Sequence, residues 1–284
     1  MPVIVTRGSA RVRREVGHWK HRGQRVAYVP TMGAIHAGHL SLVRRARGSA
    51  RRVVASIFVN PLQFGAHEDY RGYPRPLARD RRLLRAGGVD LLWEPRVEDL
   101  YRAGHVTRVT VPGLSAVLEG ASRPGHFEGV TTVVAKLLAV VQPDVLWLGQ
   151  KDAQQARILE QMVDDLDLPV RVRRGRTVRE PDGLALSSRN AYLDAAQRRA
   201  ARALPRGLAE AARQLRQGER SSARLISAIR RVWREHPEVR EDYVAVVDAR
   251  SLAPVRRVRG RVLVAVAARV GRARLIDNFE WEPN

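Results

Sequence analysis

The chain has 284 residues, 44% hydrophobic and 28% charged, enough for one large domain or two smaller ones around a buried core. It has no cysteine, which excludes a disulfide framework and thiolate chemistry, and no apolar run long enough to span a bilayer. The net charge is +22, but only Lys20, Lys136 and Lys151 among the 51 basic residues are lysine; the arginines are spread over alanine-rich, helix-like stretches such as "AARALPRGLAEAARQLRQGER", a whole-chain bias more than a polyanion-binding stripe.

Met1 to Val5 lacks a basic region leading into an apolar core, so no signal peptide is expected and the cytoplasm is the expected compartment. Short apolar runs then predict strands over Arg25–Val29, Val53–Val59, Val89–Trp93, Arg108–Val111, Val145–Leu148 and Val170–Arg173. Amphipathic stretches between them predict helices near Gly38–Ser49, Leu77–Ala86, Gly129–Val141 and Ala153–Leu166. This alternation indicates βαβ units and a mostly parallel sheet. After a turn at Pro181-Asp182-Gly183 the character changes. Two long exposed helices are predicted over Ala195–Gln217 and Ser221–Glu235, with short strands at Tyr243–Asp248, Val262–Val266 and Arg274–Ile276. The expected organisation is α/β: a Rossmann-like parallel-sheet domain over 1–177, followed by a smaller α+β domain over 178–284. That second domain is expected to act as a lid, hinged near Arg176–Glu180.

Chemistry concentrates at "PTMGAIHAGHLSLVRRA", Pro30 to Ala46, a strand-to-helix junction with two glycines and two histidines. Ligands of open α/β sheets bind beyond the carboxyl ends of the strands, and a helix starting there turns unpaired N–H groups and a positive dipole end outward. Gly33 and Gly38 permit close backbone approach. His36 and His39 can share one side of the helix start, where imidazole hydrogen-bonds phosphate oxygens and stabilises charge growing on them. Two surface histidines on a loop are the plain alternative; the combination of strand, H-A-G-H and amphipathic helix favours a site.

H-A-G-H resembles the H-x-G-H signature of the nucleotidyltransferase superfamily, whose members join a nucleoside triphosphate to a substrate and release pyrophosphate. Further stretches resemble one family in order: "SIFVNPLQFG" (56–65), "YPRPLARD" ending at Asp80, "LEGASRPGHFEGVTTVVAKLL" (118–138), "LGQKDAQQ" (148–155) and "TVREPDGLALSSRN" (177–190). Together with "VPTMGAIHAGH" they are similar to the pantothenate synthetase (pantoate–β-alanine ligase) family. The likeness is collinear from about residue 20 to residue 193 and extends weakly to "RLIDN" at 274–278.

The resemblance implies MgATP-dependent activation of (R)-pantoate to pantoyl adenylate with release of pyrophosphate, then attack by β-alanine to give pantothenate and AMP, as in coenzyme A precursor biosynthesis. It implies an ATP site of Pro30, Thr31, Met32, Gly33, His36, His39, Gly149, Gln150, Lys151, Asp152, Val178, Leu186, Ser187, Ser188 and Arg189. His39, His36 and Lys151 are its catalytic candidates. Lysine persists at 151 in an arginine-rich chain, and a flexible point charge follows a moving phosphate better than a planar fork does. Gln63 and Gln155 match the pantoate positions, Gln63 also bordering the β-alanine position, and Asn60 shapes the same pocket. Asp80 is the matched Mg²⁺ ligand, acting through water; Glu119, Arg123 and His126 are supporting residues at a subunit contact or the site rim. A homodimer without a membrane partner is implied. The chain departs from the family pattern at Pro76, Arg79, Gln150 and Leu186, and none of these changes removes a phosphate donor. A nucleotidyltransferase acting on another acid or phosphate ester is the second reading. A nucleic-acid-binding protein on this scaffold, motivated by the charge, is the third, and the sparse aromatics argue against it.

Overall fold

The computed structural model describes residues 3–65, 68 and 70–283. Met1 and Pro2 of the expected leaderless start lie outside the described residues. Two compact units are present: residues 1–150 with 155–176, and residues 151–154 with 177–284.

The first unit contains β1 (Ile4–Thr6), α1 (Ser9–His21), β2 (Val26–Thr31), α2 (Ala37–Ser49), β3 (Arg52–Ile57), α3 (Leu77–Ala86), β4 (Leu91–Trp93), α4 (Val97–Leu100), α5 (Glu119–Ser122), α6 (His126–Val141), β5 (Val145–Gly149), most of α7 (Ala153–Asp165) and β6 (Arg171–Gly175). Its strands form one parallel sheet in the order β1-β4-β3-β2-β5-β6. Central strands are mostly apolar because both faces are covered. Val26, Tyr28, Val54 and Leu146 pack with Val12, Val16 and Trp19 of α1 and with the apolar faces of α6 and α7. The alternate residues Ala27, Val29, Val53 and Ala55 pack with Val43 and Ala46 of α2 and Leu84 of α3. The chain passes from β2 to β3 on one side and later places β5 on the other. The carboxyl ends of β2 and β5 therefore flank a topological switch point, where α/β sheets bind ligands.

The strand expected at Arg108–Val111 is absent. Its backbone bonds go to helix side chains instead: Val109 N donates to Thr132 Oγ1 at 3.0 Å, and Thr131 Oγ1 donates to Val109 O at 2.5 Å. Conversely, β1 and α1 had no predicted counterpart. β1 is only three residues long, too short for periodicity to register, and joins the sheet by pairing Val5 with Leu92.

The second unit packs α8 (Ala195–Ala201), α9 (Ala203–Arg216) and α10 (Ser222–Trp233) with an antiparallel sheet of β7 (Val239–Asp248), β8 (Val262–Val270) and β9 (Ala273–Trp281), in the order β7-β8-β9. The helix expected over Ala195–Gln217 is two helices that meet at Arg202. Pro205 explains the break: it has no N–H to donate back to residue 201 and is tolerated only in the first turn of a new helix. Nor are these helices simply exposed. Leu204, Leu208, Ala211 and Leu215 of α9 and Leu225, Ile229 and Trp233 of α10 are buried with Val244, Val246, Val264 and Val266 of the sheet.

Candidate active site

The turn from β2 into α2 is built backwards from its polar groups. Thr31 Oγ1 donates to Ser56 O at 2.7 Å on the neighbouring strand and accepts from Gly33 N at 3.2 Å. Beneath it, the fully buried Tyr28 hydroxyl meets Ser56 Oγ at 2.6 Å, and burial raises the phenol's pKa. Gly33 and Ala34 follow with left-handed φ values of 87° and 48°. This places successive N–H groups over the carboxylate of Asp80: Ala34 N donates to Oδ2 at 2.8 Å and Ile35 N to Oδ1 at 2.9 Å. A Cβ at Gly33 would lie 3.1 Å from Asp80 Oδ2 as well as needing the left-handed φ, so only glycine is unstrained there.

His36 is the N-cap of α2. Its Nδ1 accepts from Gly38 N at 3.1 Å, and His39 Nδ1 accepts from His36 N at 3.4 Å, a capping box made of two imidazoles. The rings stack with centroids 4.1 Å apart. A neutral imidazole that accepts at Nδ1 carries its proton at Nε2, so the backbone assigns both rings the Nε2–H tautomer. A Cβ at Gly38 would approach His36 Nδ1 to 2.9 Å; the glycine of H-x-G-H is what lets the first histidine fold back onto the helix start. The first turn of α2 contains no acidic residue. Two N–H donors and a helix N-terminus without a carboxylate in its first turn therefore stand beyond the end of β2, an arrangement suited to an anion.

Gln63 ends a one-turn 3-10 helix, Pro61–Gln63, capped by Asn60. Gln63 Nε2 contacts Met32 Sδ at 3.1 Å, which joins it to the loop after β2. Asn60, expected to shape the substrate pocket, is 1% exposed and spends its amide internally. Its Nδ2 donates to Gln63 Oε1 at 3.2 Å and Gly129 O at 2.9 Å; its Oδ1 accepts from Leu62 N at 3.3 Å and Tyr101 Oη at 2.8 Å. These bonds let Asn60 orient Gln63. Gln155 is half-buried on the first turn of α7; Gly149 ends β5, which pairs with β2, and Gln150 opens the 3-10 turn that follows.

The same unit places Arg123 and His126 behind Gln63. Arg123 pairs with Glu68 through two 2.6 Å hydrogen bonds. Burial pushes Glu68 up, but the hydrogen bonds and charge of Arg123 outweigh it and the net shift is downward. Burial, reinforced by Arg123, lowers His126 to about 4.

In the second unit, Lys151 Nζ lies 3.5 Å from Asp152 Oδ1. The Lys151 carbonyl accepts from Asn278 Nδ2 at 2.8 Å. Asp277, 3% exposed, takes Arg179 through hydrogen bonds of 2.6 and 2.9 Å and also accepts from Asn278 N at 2.8 Å. Those bonds raise the Arg179 pKa. Val178 O accepts from Leu186 N at 3.0 Å, closing a hairpin whose end presents Ser187, Ser188 and Arg189, all half-buried. Ser187 Oγ accepts from Arg189 N at 3.3 Å and caps the following 3-10 turn. Asn278 and Asp277 thus hold the Lys151 carbonyl and Arg179, and "RLIDN" was their only signal in the sequence.

The residues do not fit a protein-held metal. Among the described residues no three His, Asp or Glu side chains converge. Asp80, expected as a Mg²⁺ ligand, is fully buried, with both oxygens on backbone N–H groups of the loop; the neighbouring Arg79 is exposed. Among the described residues no helix is long and apolar enough to cross a membrane.

The family model described as pantoate-beta-alanine ligase matches residues 4–280. A pantothenate synthetase of Moorella thermoacetica is 51% identical over 97% of this chain and 97% of its own length. A solved pantothenate synthetase of Thermus thermophilus superposes with a TM-score of 0.94 at 48% identity, covering 99% of this chain and 100% of that one. A pantoate-beta-alanine ligase from Francisella tularensis, solved with beta-gamma ATP and beta-alanine, gives 0.79 at 32% identity over 98% and 97% of the two chains. On a family match spanning nearly its whole length, the chain belongs to the pantoate–beta-alanine ligases.

Proposed function

We propose that the protein condenses (R)-pantoate with β-alanine at the cost of ATP, through a pantoyl adenylate. The observation that carries this reading is the stacked His36–His39 pair, with its tautomers set by the backbone at the N-terminus of α2. A pantoate carboxylate oxygen attacks the α-phosphorus of ATP, the bond to the β-phosphate breaks and pyrophosphate leaves. The β-alanine amine then attacks the acyl carbon, the bond to the phosphate oxygen breaks, AMP leaves and the amine loses its proton. No covalent bond to the protein is needed, so catalysis rests on positioning and charge stabilisation.

His36 and His39 donate Nε2–H to the phosphates. In the second unit, Lys151, Ser187, Ser188 and Arg189 supply ammonium, hydroxyl and guanidinium donors of the kind that phosphate oxygens accept from. Gln63 and Gln155 read the pantoate hydroxyls and carboxylate as neutral amides, with no unpaired charge to bury. A divalent ion would offset the charge of the nucleotide's phosphates; among the described residues no three His, Asp or Glu side chains converge to cage it. The active species is read as a homodimer, which sedimentation checks.

AMP formation, measured with pantoate and β-alanine each left out in turn, is the test. Pantoate-dependent exchange of pyrophosphate into ATP without β-alanine is the expected result. Exchange that ignores pantoate and responds to another acid would replace this reading with a different nucleotidyltransferase.

A further inference from the structure

The two atoms of Gln63 that matter are held from different sides. Its side-chain amide is fixed by Asn60 and Met32. Its backbone carbonyl lies 2.8 Å from His126 Nδ1 and accepts a longer bond, 3.4 Å, from Arg123 Nη2. On the far edge of the same imidazole, Arg123 Nη1 lies 3.0 Å from His126 Nε2. Arginine can only donate, so Nε2 must accept, and the single proton of a neutral ring sits on Nδ1, aimed at Gln63. Glu68 closes the chain by holding the guanidinium through two bonds.

We propose that His126 is a positioning residue for Gln63: its Nδ1–H fixes the Gln63 backbone, and with it the amide that reads the acid substrate, while Arg123, anchored on Glu68, fixes the imidazole. The relay runs Glu68–Arg123–His126–Gln63 and ends at Met32 of the loop that carries His36 and His39. The tautomer here is opposite to that of His36 and His39, because Nδ1 donates to a carbonyl in one case and accepts from backbone N–H groups in the other. The depressed basicity of His126 supports this role, since a protonated ring would confront the Arg123 charge across 3.0 Å. The proposal rests on the assignment of Gln63 to the acid substrates.

Asparagine places an amide nitrogen where Nδ1 was, whereas glutamine extends toward the Nε2 position. His126→Gln is therefore expected to raise the KM for pantoate about tenfold, the worth of one hydrogen bond of about 1.4 kcal/mol, with a smaller change in kcat. His126→Asn should stay within about threefold of wild type. Both proteins should melt cooperatively, and a variant that does not is replaced by Arg123→Lys, which keeps the charge but loses the fork on Glu68. Equal KM values for His126→Gln and His126→Asn would overturn the proposal. Should the wild type not turn over pantoate at all, the functional assignment fails on its own, and the Gln63 side-chain amide resonance then reads the relay without substrate. It should move in His126→Gln and not in His126→Asn; no movement in either would sink the relay independently.

Discussion

Ile35 N donates to Asp80 Oδ1 at 2.9 Å across 45 residues of sequence, and Ala34 N does the same to Oδ2 at 2.8 Å. One fully buried carboxylate of α3 thus receives the two backbone donors of the left-handed turn that delivers His36 and His39 to the start of α2. Asp80→Asn removes one acceptor and turns an NH₂ group onto an N–H. It should destabilise the fold by about 2 kcal/mol, within the cost of leaving a buried donor unmade. Thermal melting measures that loss. An unchanged melting temperature combined with a raised Mg²⁺ requirement would return Asp80 to the metal.

His39→Ala and His36→Ala each remove an Nε2–H donor and half of the imidazole capping box. The first half-reaction, followed by pyrophosphate exchange, should slow by roughly 10²–10³-fold, the usual consequence of losing one preorganised donor to developing charge. Full-rate exchange in both variants would remove these histidines from the chemistry.

Asn278→Ala frees the Lys151 carbonyl from its 2.8 Å bond while leaving the lysine in place. ATP KM should rise by several-fold and pantoate KM should not. Lys151→Ala should depress the maximal rate as well, so the pair separates holding the lysine from being the lysine. Asp277→Ala leaves Arg179 without its carboxylate and should cost about 1–3 kcal/mol; Arg179 is 35% exposed, and solvent screens part of the loss.

Stability should fall as the solution is acidified through the range set by His126. Burial and Arg123 hold its folded pKa near 4, below the ordinary value of 6.5, so unfolded chains bind a proton that folded ones resist. The contribution of neutral His126 is complete above about pH 6.5 and is lost progressively down to about pH 4, with a ceiling on the order of 3 kcal/mol. Glu68, whose folded pKa is also lowered, works in the same direction, its share being lost as pH falls through the carboxylate range, while Glu119 favours the protonated ring. Denaturant titrations of wild type and His126→Asn between pH 4 and 7 check this. Parallel slopes for the two proteins would show that His126 is not the group responsible.

The parallel sheet was readable because strands covered on both faces must be apolar throughout: Val26–Val29 and Val53–Ala55 could hardly be anything else. The H-A-G-H loop was readable because its glycines answer local needs: the φ of 87° at Gly33 and the fold-back of His36 over Gly38. Arg108–Val111 misled because an apolar alternation says nothing about whether a sheet neighbour exists to receive its backbone, and here Thr131 and Thr132 receive it. The long helix at Ala195 was misjudged by giving helix propensity more weight than the missing donor of Pro205.

Residue types and their order determined which atoms the chain could bring to chemistry: two imidazoles at a helix start, a retained lysine, two hydroxyls beside an arginine. Tertiary structure alone decided which nitrogen of each imidazole carries its proton, that Asp80 serves the loop, and that Asn60 serves Gln63. These are choices between donors and acceptors 2 to 69 residues apart. A hydrogen bond is set by distance and direction in space, and neither is written in the spacing of residues along a chain.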